Sequence, residues 1–257
     1  MKMIIVADNL HVLNPVVADA MRRLDPEPLR ELAIRCQCAG AQWIDVNPGY
    51  LSRRNEDRMA FMVETLQNAV PGMRLVLDSP SPRVLANGLA ACRETPILNA
   101  LSLEKEKLEE ILPLAVEHHT SLVILLMDER SYTPPTMDEK LALAVELRER
   151  ALAAGLPHEN LIFDPVIPNL SWPEAFGQVS EIVRVVRLLA SGAVFGEPAR
   201  LIVGLSNLRS GLRNRYPVSL DSACLGLLSG AGLDHVLCDV LDPNLMETVG
   251  AIKQMTR

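Results

Sequence analysis

Residues 28–47 read PLRELAIRCQCAGAQWIDVN. From Pro28 to Cys38 the apolar residues recur at helical spacing, Gly40 supplies a helix stop, and the apolar run from Gln42 to Val46 reads as a short buried strand. The run closes on Asp45-Val46-Asn47, polar side chains set against a strand interior. Working outward, similar apolar runs occur at Met3–Ala7, Arg74–Leu77, Ile97–Leu98, Leu122–Met127, Leu161–Phe163, Leu201–Val203 and His235–Leu237. Helical patterns separate them at Asn55–Ala69, Pro82–Cys92, Glu104–Glu117, Thr136–Ala154, Pro173–Ala190, Val218–Leu228 and Pro243–Met255. Strict alternation implies parallel strands joined by crossover helices, and eight such units close into a (β/α)8 barrel without a free edge.

A chain of 257 residues suits one such barrel, so a single domain over 1–257 is expected. Its residues are 49% hydrophobic but only 4% aromatic, a Leu, Val, Ile and Ala composition that fits short buried strands. No apolar run reaches the roughly 18 residues of a membrane span, and the amino-terminal Met1-Lys2-Met3-Ile4-Ile5-Val6 meets an aspartate too early for a signal peptide. A soluble cytoplasmic protein is expected. Five cysteines, with Cys36 and Cys38 diverging on one helix, give neither a disulfide framework nor a zinc knuckle. A net charge of −7 without a basic block argues against nucleic acid as a partner.

In a (β/α)8 barrel the site forms where the strands end. Here those ends are polar: Asp8-Asn9, Asp45-Val46-Asn47, Asp78-Ser79, Asn99, Asp128, Asp164, Ser206-Asn207 and Asp239. Any one of them reads equally well as a helix cap or turn residue. Together they form a rim of acceptors and donors whose desolvation a polar ligand would offset, and carboxylates beside amides suit an aminopyrimidinone edge. A phosphate site after the seventh and eighth strands would want a glycine-rich loop, yet only Gly204 lies at the seventh strand's end and Cys238-Asp239-Val240 follows the eighth. His11, His118, His119, His158 and His235 are scattered without metal-ligand spacing, His118-His119 reading as a surface pair, and no GxSxG elbow occurs.

Five segments resemble the methyltetrahydrofolate:corrinoid protein methyltransferases: Ile44-Asp45-Val46-Asn47-Pro48-Gly49, Leu77-Asp78-Ser79, Leu98-Asn99-Ala100-Leu101-Ser102, Phe163-Asp164-Pro165 and Gly204-Leu205-Ser206-Asn207. Pro113 to His118 and Asn214-Arg215 extend the likeness over nearly the whole chain. That family is similar in fold to dihydropteroate synthase, which carries a lysine just after the seventh-strand serine; this chain has Ser206-Asn207-Leu208 and no lysine from Ala142 through Gly250.

The resemblance implies that Asp78, Asn99 and Asp164 bind the pterin, with Asp45, Asn47, Gly204, Ser206 and Arg215 completing the site. It also implies that Asn207 stands at the methyl-bearing nitrogen as the catalytic residue. Tetrahydrofolate or 5-methyltetrahydrofolate would be the substrate. The cobalamin would arrive on a partner corrinoid protein, such as a corrinoid iron-sulfur protein in acetyl synthesis or its counterpart in a demethylation system, and no cofactor would be tightly bound. A homodimer is implied, with apolar outer helices such as Leu141–Leu152 as contacts. The loop from Glu129 to Pro135 reads as a rim, a docking edge or a plain connection. A dihydropteroate synthase-like enzyme and a silent pterin-binding scaffold are the alternatives. Departures from the family's pattern are Val6-Ala7-Asp8-Asn9-Leu10, where a Gly-Glu-Arg-Ile-Asn segment is usual, together with Pro48 and Pro80; they bear on methyl donor, direction and partner.

Overall fold

The strand sequences IIVA, WIDV, RLVLD, ILNAL, SLVIL, LIFD, RLIVG and HVLC are rich in branched aliphatic residues, which pack well on a pleated surface. In a computed structural model, which describes residues 3–51, 55–212 and 214–256, they are β1 (Ile4–Ala7), β2 (Trp43–Val46), β3 (Arg74–Asp78), β4 (Ile97–Leu101), β5 (Ser121–Leu125), β6 (Leu161–Asp164), β7 (Arg200–Gly204) and β8 (His235–Cys238). Met1 and Lys2 lie outside the described residues. Each strand pairs in parallel with its neighbours in sequence, and β1 pairs with β8, so the barrel is closed as expected.

Around it lie α1 (Pro15–Arg23), α2 (Glu27–Cys38), α3 (Arg58–Ala69), α4 (Pro82–Ala91), α5 (Leu112–Glu117), α6 (Met137–Ala153), α7 (Ala175–Ala190), α8 (Ser219–Ala231) and α9 (Pro243–Met255). The eight predicted helices are present. The Glu104–Glu117 pattern resolves into a π-helical turn, Lys107–Ile111, running into α5. The helix that the periodicity did not predict, α1, is set by its start signal: Asn14 caps it by accepting the Val16 N–H at 3.1 Å, and Pro15 occupies the first turn.

Successive side chains of a strand face opposite ways, so parity assigns each residue to the lumen or to the helices. Val6, Trp43, Val76, Ile97, Val123, Ile162 and Ile202 form one buried cluster, inside the barrel. Ile5, Ile44, Leu77, Leu98, Leu122, Phe163 and Val203 belong to the second, larger cluster between strands and helices. At the amino-terminal end the lumen is plugged by Trp43, its ring 4.8 Å from that of His235 and under the Arg74 guanidinium at 5.3 Å. Following the lumen parity towards the other end leads to Asp8, Asp45, Asn47, Asp78, Asn99, Asp164, Gly204 and Asp239.

Outside the barrel, α6 commits Ala144, Leu147 and Ala151 to the core and leaves Val145 and Leu152 each 37% exposed. His118 and His119 are exposed at the end of α5. No helix among the described residues is long and apolar enough to cross a membrane.

Asn14 also donates to the Asn9 carbonyl at 3.1 Å, tying α1 to the segment after β1. Asn14→Ala is expected to cost about 1 kcal/mol, the usual value of an N-cap, measured as a lowered urea midpoint at unchanged m-value.

Candidate functional site

At the carboxyl ends of the strands lies a pocket of about 770 Å³, walled by Asp8, Asp78, Asn99, Asp164 and Asp239 from the strand ends and by Ser206 and Asn207 beyond β7. Val12, Leu13 and Tyr50 form an apolar lip, with Leu13 82% and Tyr50 95% exposed. The lip is shaped by Gly49, whose φ of 71° favours glycine and where a Cβ would lie 2.4 Å from a Val12 methyl. Neither the lip nor His11 and Ser210, which also line the pocket, was indicated by the sequence reading, because they lie in loops rather than at strand ends.

The floor is a linked set of carboxyls and amides. Asn47 donates to Asp78 at 2.7 Å while its own carbonyl accepts the Gly49 N–H at 2.9 Å. Asp78 and Asn99 are register partners on β3 and β4, and the Asn99 side chain hydrogen-bonds Asp45. Asp45 is 1% exposed and lies beneath the pocket rather than in its wall. Burial, with the Asp78 and Asp8 carboxyls beside it, holds Asp45 well above the usual carboxylate range. Among the described residues its Oδ1 has no hydrogen-bond partner. Burial also pushes Asp78 up to about 7, against the stabilising Asn47 amide. The Ser206 hydroxyl donates to Asp8, and Asn9 donates to Asp239 at 2.6 Å.

Asp164 ends β6 across the lumen, only 8% exposed, and burial raises it to about 6. The Val166 N–H, at 2.7 Å, lowers it first, followed by the charge of Lys140 and the Gly204 N–H. Val166 makes its bond from a φ of 60°, a strained setting for a β-branched residue, of the kind that persists where surrounding structure fixes it.

Asn207 sits on a 3-10 turn, Leu205–Arg209, that continues β7. Two clamps fix the turn. Asn169, from the loop after β6, donates to the Asn207 carbonyl at 3.0 Å and to the Ser210 carbonyl at 2.9 Å. Arg209 grips Asp221 of α8 through a two-pronged, largely buried ion pair. Gly204 passes directly under the Asn207 amide: a Cβ there would stand 3.0 Å from its nitrogen.

The structure therefore brings Asp78, Asn99, Asp164, Gly204, Ser206, Asn207 and Asn47 together around one pocket, with Asp45 below. It does not bring Arg215 there. That residue is exposed, its guanidinium 5.5 Å from the Tyr216 ring centre and away from the pocket. Asp128 is likewise absent. It falls on the wrong parity after β5 and caps its own loop, accepting the Arg130 and Tyr132 N–H groups at 2.9 Å. The described residues contain no cluster of His, Cys, Asp and Glu able to hold a metal ion.

Residues 15–236 match the family of pterin binding enzymes. The chain belongs to that family. This pterin-binding barrel is 27% identical to the methylcorrinoid:tetrahydrofolate methyltransferase of Eubacterium limosum over 252 residues, covering 97% of this chain and 89% of the relative. Its fold is that of dihydropteroate synthases. The Xanthomonas albilineans enzyme solved with 4-aminobenzoic acid has a TM-score of 0.73 at 17% identity, covering 99% of this chain and 92% of that one. The Yersinia pestis enzyme, solved with a pterine-sulfa conjugate, has a TM-score of 0.69 at 16% identity, covering 99% and 94%.

The raised carboxyls of the pterin-binding barrel carry a stability signature. The folded pKa of Asp164 lies above its unfolded value of 3.8, so its protonated form favours folding at low pH and that contribution is lost as pH rises through about 6. Between pH 5 and 8 the free protein is expected to lose about 1–2 kcal/mol on this account. Urea unfolding at both pH values, for wild type and Asp164→Asn, checks it: the variant should lose less stability over the interval.

Proposed function

We propose that the chain is a methyltransferase that moves a methyl group between tetrahydrofolate and the cobalt of a corrinoid presented by a separate protein. The observation that carries this reading is the placement of a neutral amide, Asn207, on the wall of a pocket whose floor is carboxylate and amide and in whose lining no lysine occurs among the described residues. The name of the Eubacterium limosum relative supports it, as does the resemblance of the strand-end segments.

A pterin ring offers an amino group and ring N–H donors on one edge. Ionised Asp78 and Asp164 can accept from such donors, and Asn99, which has both an acceptor and two donors, can serve either kind of group. The pocket volume lies within the range of small-molecule sites and its mouth is open to a second reactant. In the direction named for the relative, N5 of tetrahydrofolate attacks the corrinoid methyl. The N–C bond forms as the Co–C bond breaks, its electron pair stays on cobalt, and the N5 proton passes to water. The Asn207 side-chain amide oxygen can accept that N–H as it acidifies. In the reverse direction N5 is a poor leaving group, and the Asn207 NH₂ can donate to it as it departs, with water as the ultimate proton source. Either role strengthens as charge shifts at N5, so Asn207 acts on the transition state more than on binding.

The test is anaerobic transfer between methylcobalamin and tetrahydrofolate, followed by the cobalamin spectrum in single turnover. Asn207→Ala is expected to slow transfer by about 1–3 kcal/mol, roughly 5- to 150-fold, with a smaller change in folate affinity. Asp164→Asn is expected to weaken folate binding. Unchanged transfer in Asn207→Ala would overturn the role of the amide. Folate binding without transfer to free cobalamin or to any corrinoid protein would favour the silent scaffold, and condensation of a pterin pyrophosphate with 4-aminobenzoate would favour the synthase.

A further inference from the structure

Among the largest fully buried side chains of the described residues is a lysine. Lys140, in the first turn of α6, is 1% exposed, although a lysine in an amphipathic helix reads as a solvated residue. Its ammonium donates to the Thr133 hydroxyl and to the Pro165 carbonyl, both at 2.7 Å. Thr133 in turn donates to the Leu126 carbonyl at 3.2 Å, so the lysine head pins the segment after β5. Pro165 directly follows Asp164, so the same head also pins the backbone that carries the pocket carboxyl.

The charged groups that act on this ammonium are Asp164, from β6, and Glu139, from its own helix. At the start of α6, Glu181 of α7 accepts the Met137 N–H at 3.0 Å. Burial pulls Lys140 down to about 8, with Asp164 and Glu139 holding it up, and the lysine charge in turn lowers Asp164. A buried ammonium kept only for packing would be exchanged for methionine with little loss or a gain in stability. The two hydrogen bonds on either side of the pocket's β5–β6 wall, and the carboxyl within reach of the charge, indicate another use.

We propose that Lys140 is a positioning residue of the pterin site: its ammonium ties the segment after β5 to the backbone following Asp164, and holds that carboxyl in place, beside a positive charge, for the ligand. This rests on the pterin-binding reading above. Lys140 does not touch the pocket; it acts through Asp164.

The test is the pH titration of the Asp164 carboxyl by ¹³C NMR in aspartate-labelled wild type, Lys140→Met and Lys140→Arg, alongside tetrahydrofolate affinity at pH 7. In the wild type, a main step near 6 is expected with a small second step near 8 as Lys140 loses its proton. In Lys140→Met the main step should rise by about one pH unit, the second step should vanish, and folate affinity should fall about tenfold. Lys140→Arg, which keeps the charge, should leave the main step in place and retain most of the affinity.

A folded Lys140→Met with an unmoved Asp164 step, or with a moved step and wild-type folate affinity, would overturn the proposal. Should that variant fail to fold, the wild type decides: absence of the second step overturns the coupling. A wild type that binds no tetrahydrofolate sinks the pterin-binding reading instead, and does so whatever the carboxyl resonance shows.

Discussion

The constraint on which the site depends is the two-residue pleat of a closed parallel barrel. Because every strand must turn alternate residues into the lumen, a polar residue placed two or four positions beyond an inward aliphatic residue also points inward. Val6 leads to Asp8, Trp43 to Asp45 and Asn47, Val76 to Asp78, Ile97 to Asn99, Ile162 to Asp164 and Leu237 to Asp239. The aliphatic layers close the barrel, and the next layer up is of necessity a ring of carboxyls and amides with no bulk water beneath it.

That placement has an electrostatic consequence. Three carboxyls on adjacent strands, Asp8, Asp45 and Asp78, repel one another over an apolar floor, and a fourth, Asp164, faces them across the lumen. The protein meets this cost unevenly. Asp45 is pushed well above the usual carboxylate range and bonded to Asn99, Asp78 is steadied by Asn47, and Asp164 is supplied with the Val166 and Gly204 N–H groups and the charge of Lys140. The result is a pocket in which burial pushes Asp78 up to about 7 and Asp164 up to about 6. A ligand edge rich in N–H groups would draw Asp78 and Asp164 into the ionised form, which links binding to proton release.

Most of the fold was legible from periodicity, because each strand is a short aliphatic run between helices with clear starts and stops. The helix α1 escaped because it is short: its buried Val17, Ala20 and Met21 do recur at helical spacing, but nine residues give little more than two turns in which to see it, and only Asn14 and Pro15 announce its start. The strand ends pointed correctly to the polar rim, but the ends alone do not give parity: Asp128 stands one residue out of phase and caps a loop, and Asp45 lies a layer deeper than the pocket wall. Arg215 was suggested by a motif, and the turn after the 3-10 segment carries it away from the lumen. Lys140 was invisible for a different reason. Its burial depends on two partners, seven and twenty-five residues away, that only the closed barrel brings together.

The central claim, that Asp78 and Asp164 serve as ionised acceptors for a pterin, is tested most directly by calorimetric titration of tetrahydrofolate at pH 6.5 in buffers of different ionisation enthalpy. Binding accompanied by net proton release, abolished when both carboxyls are changed to amides, is the predicted result. Binding with no proton exchange, or no binding at all, would contradict it.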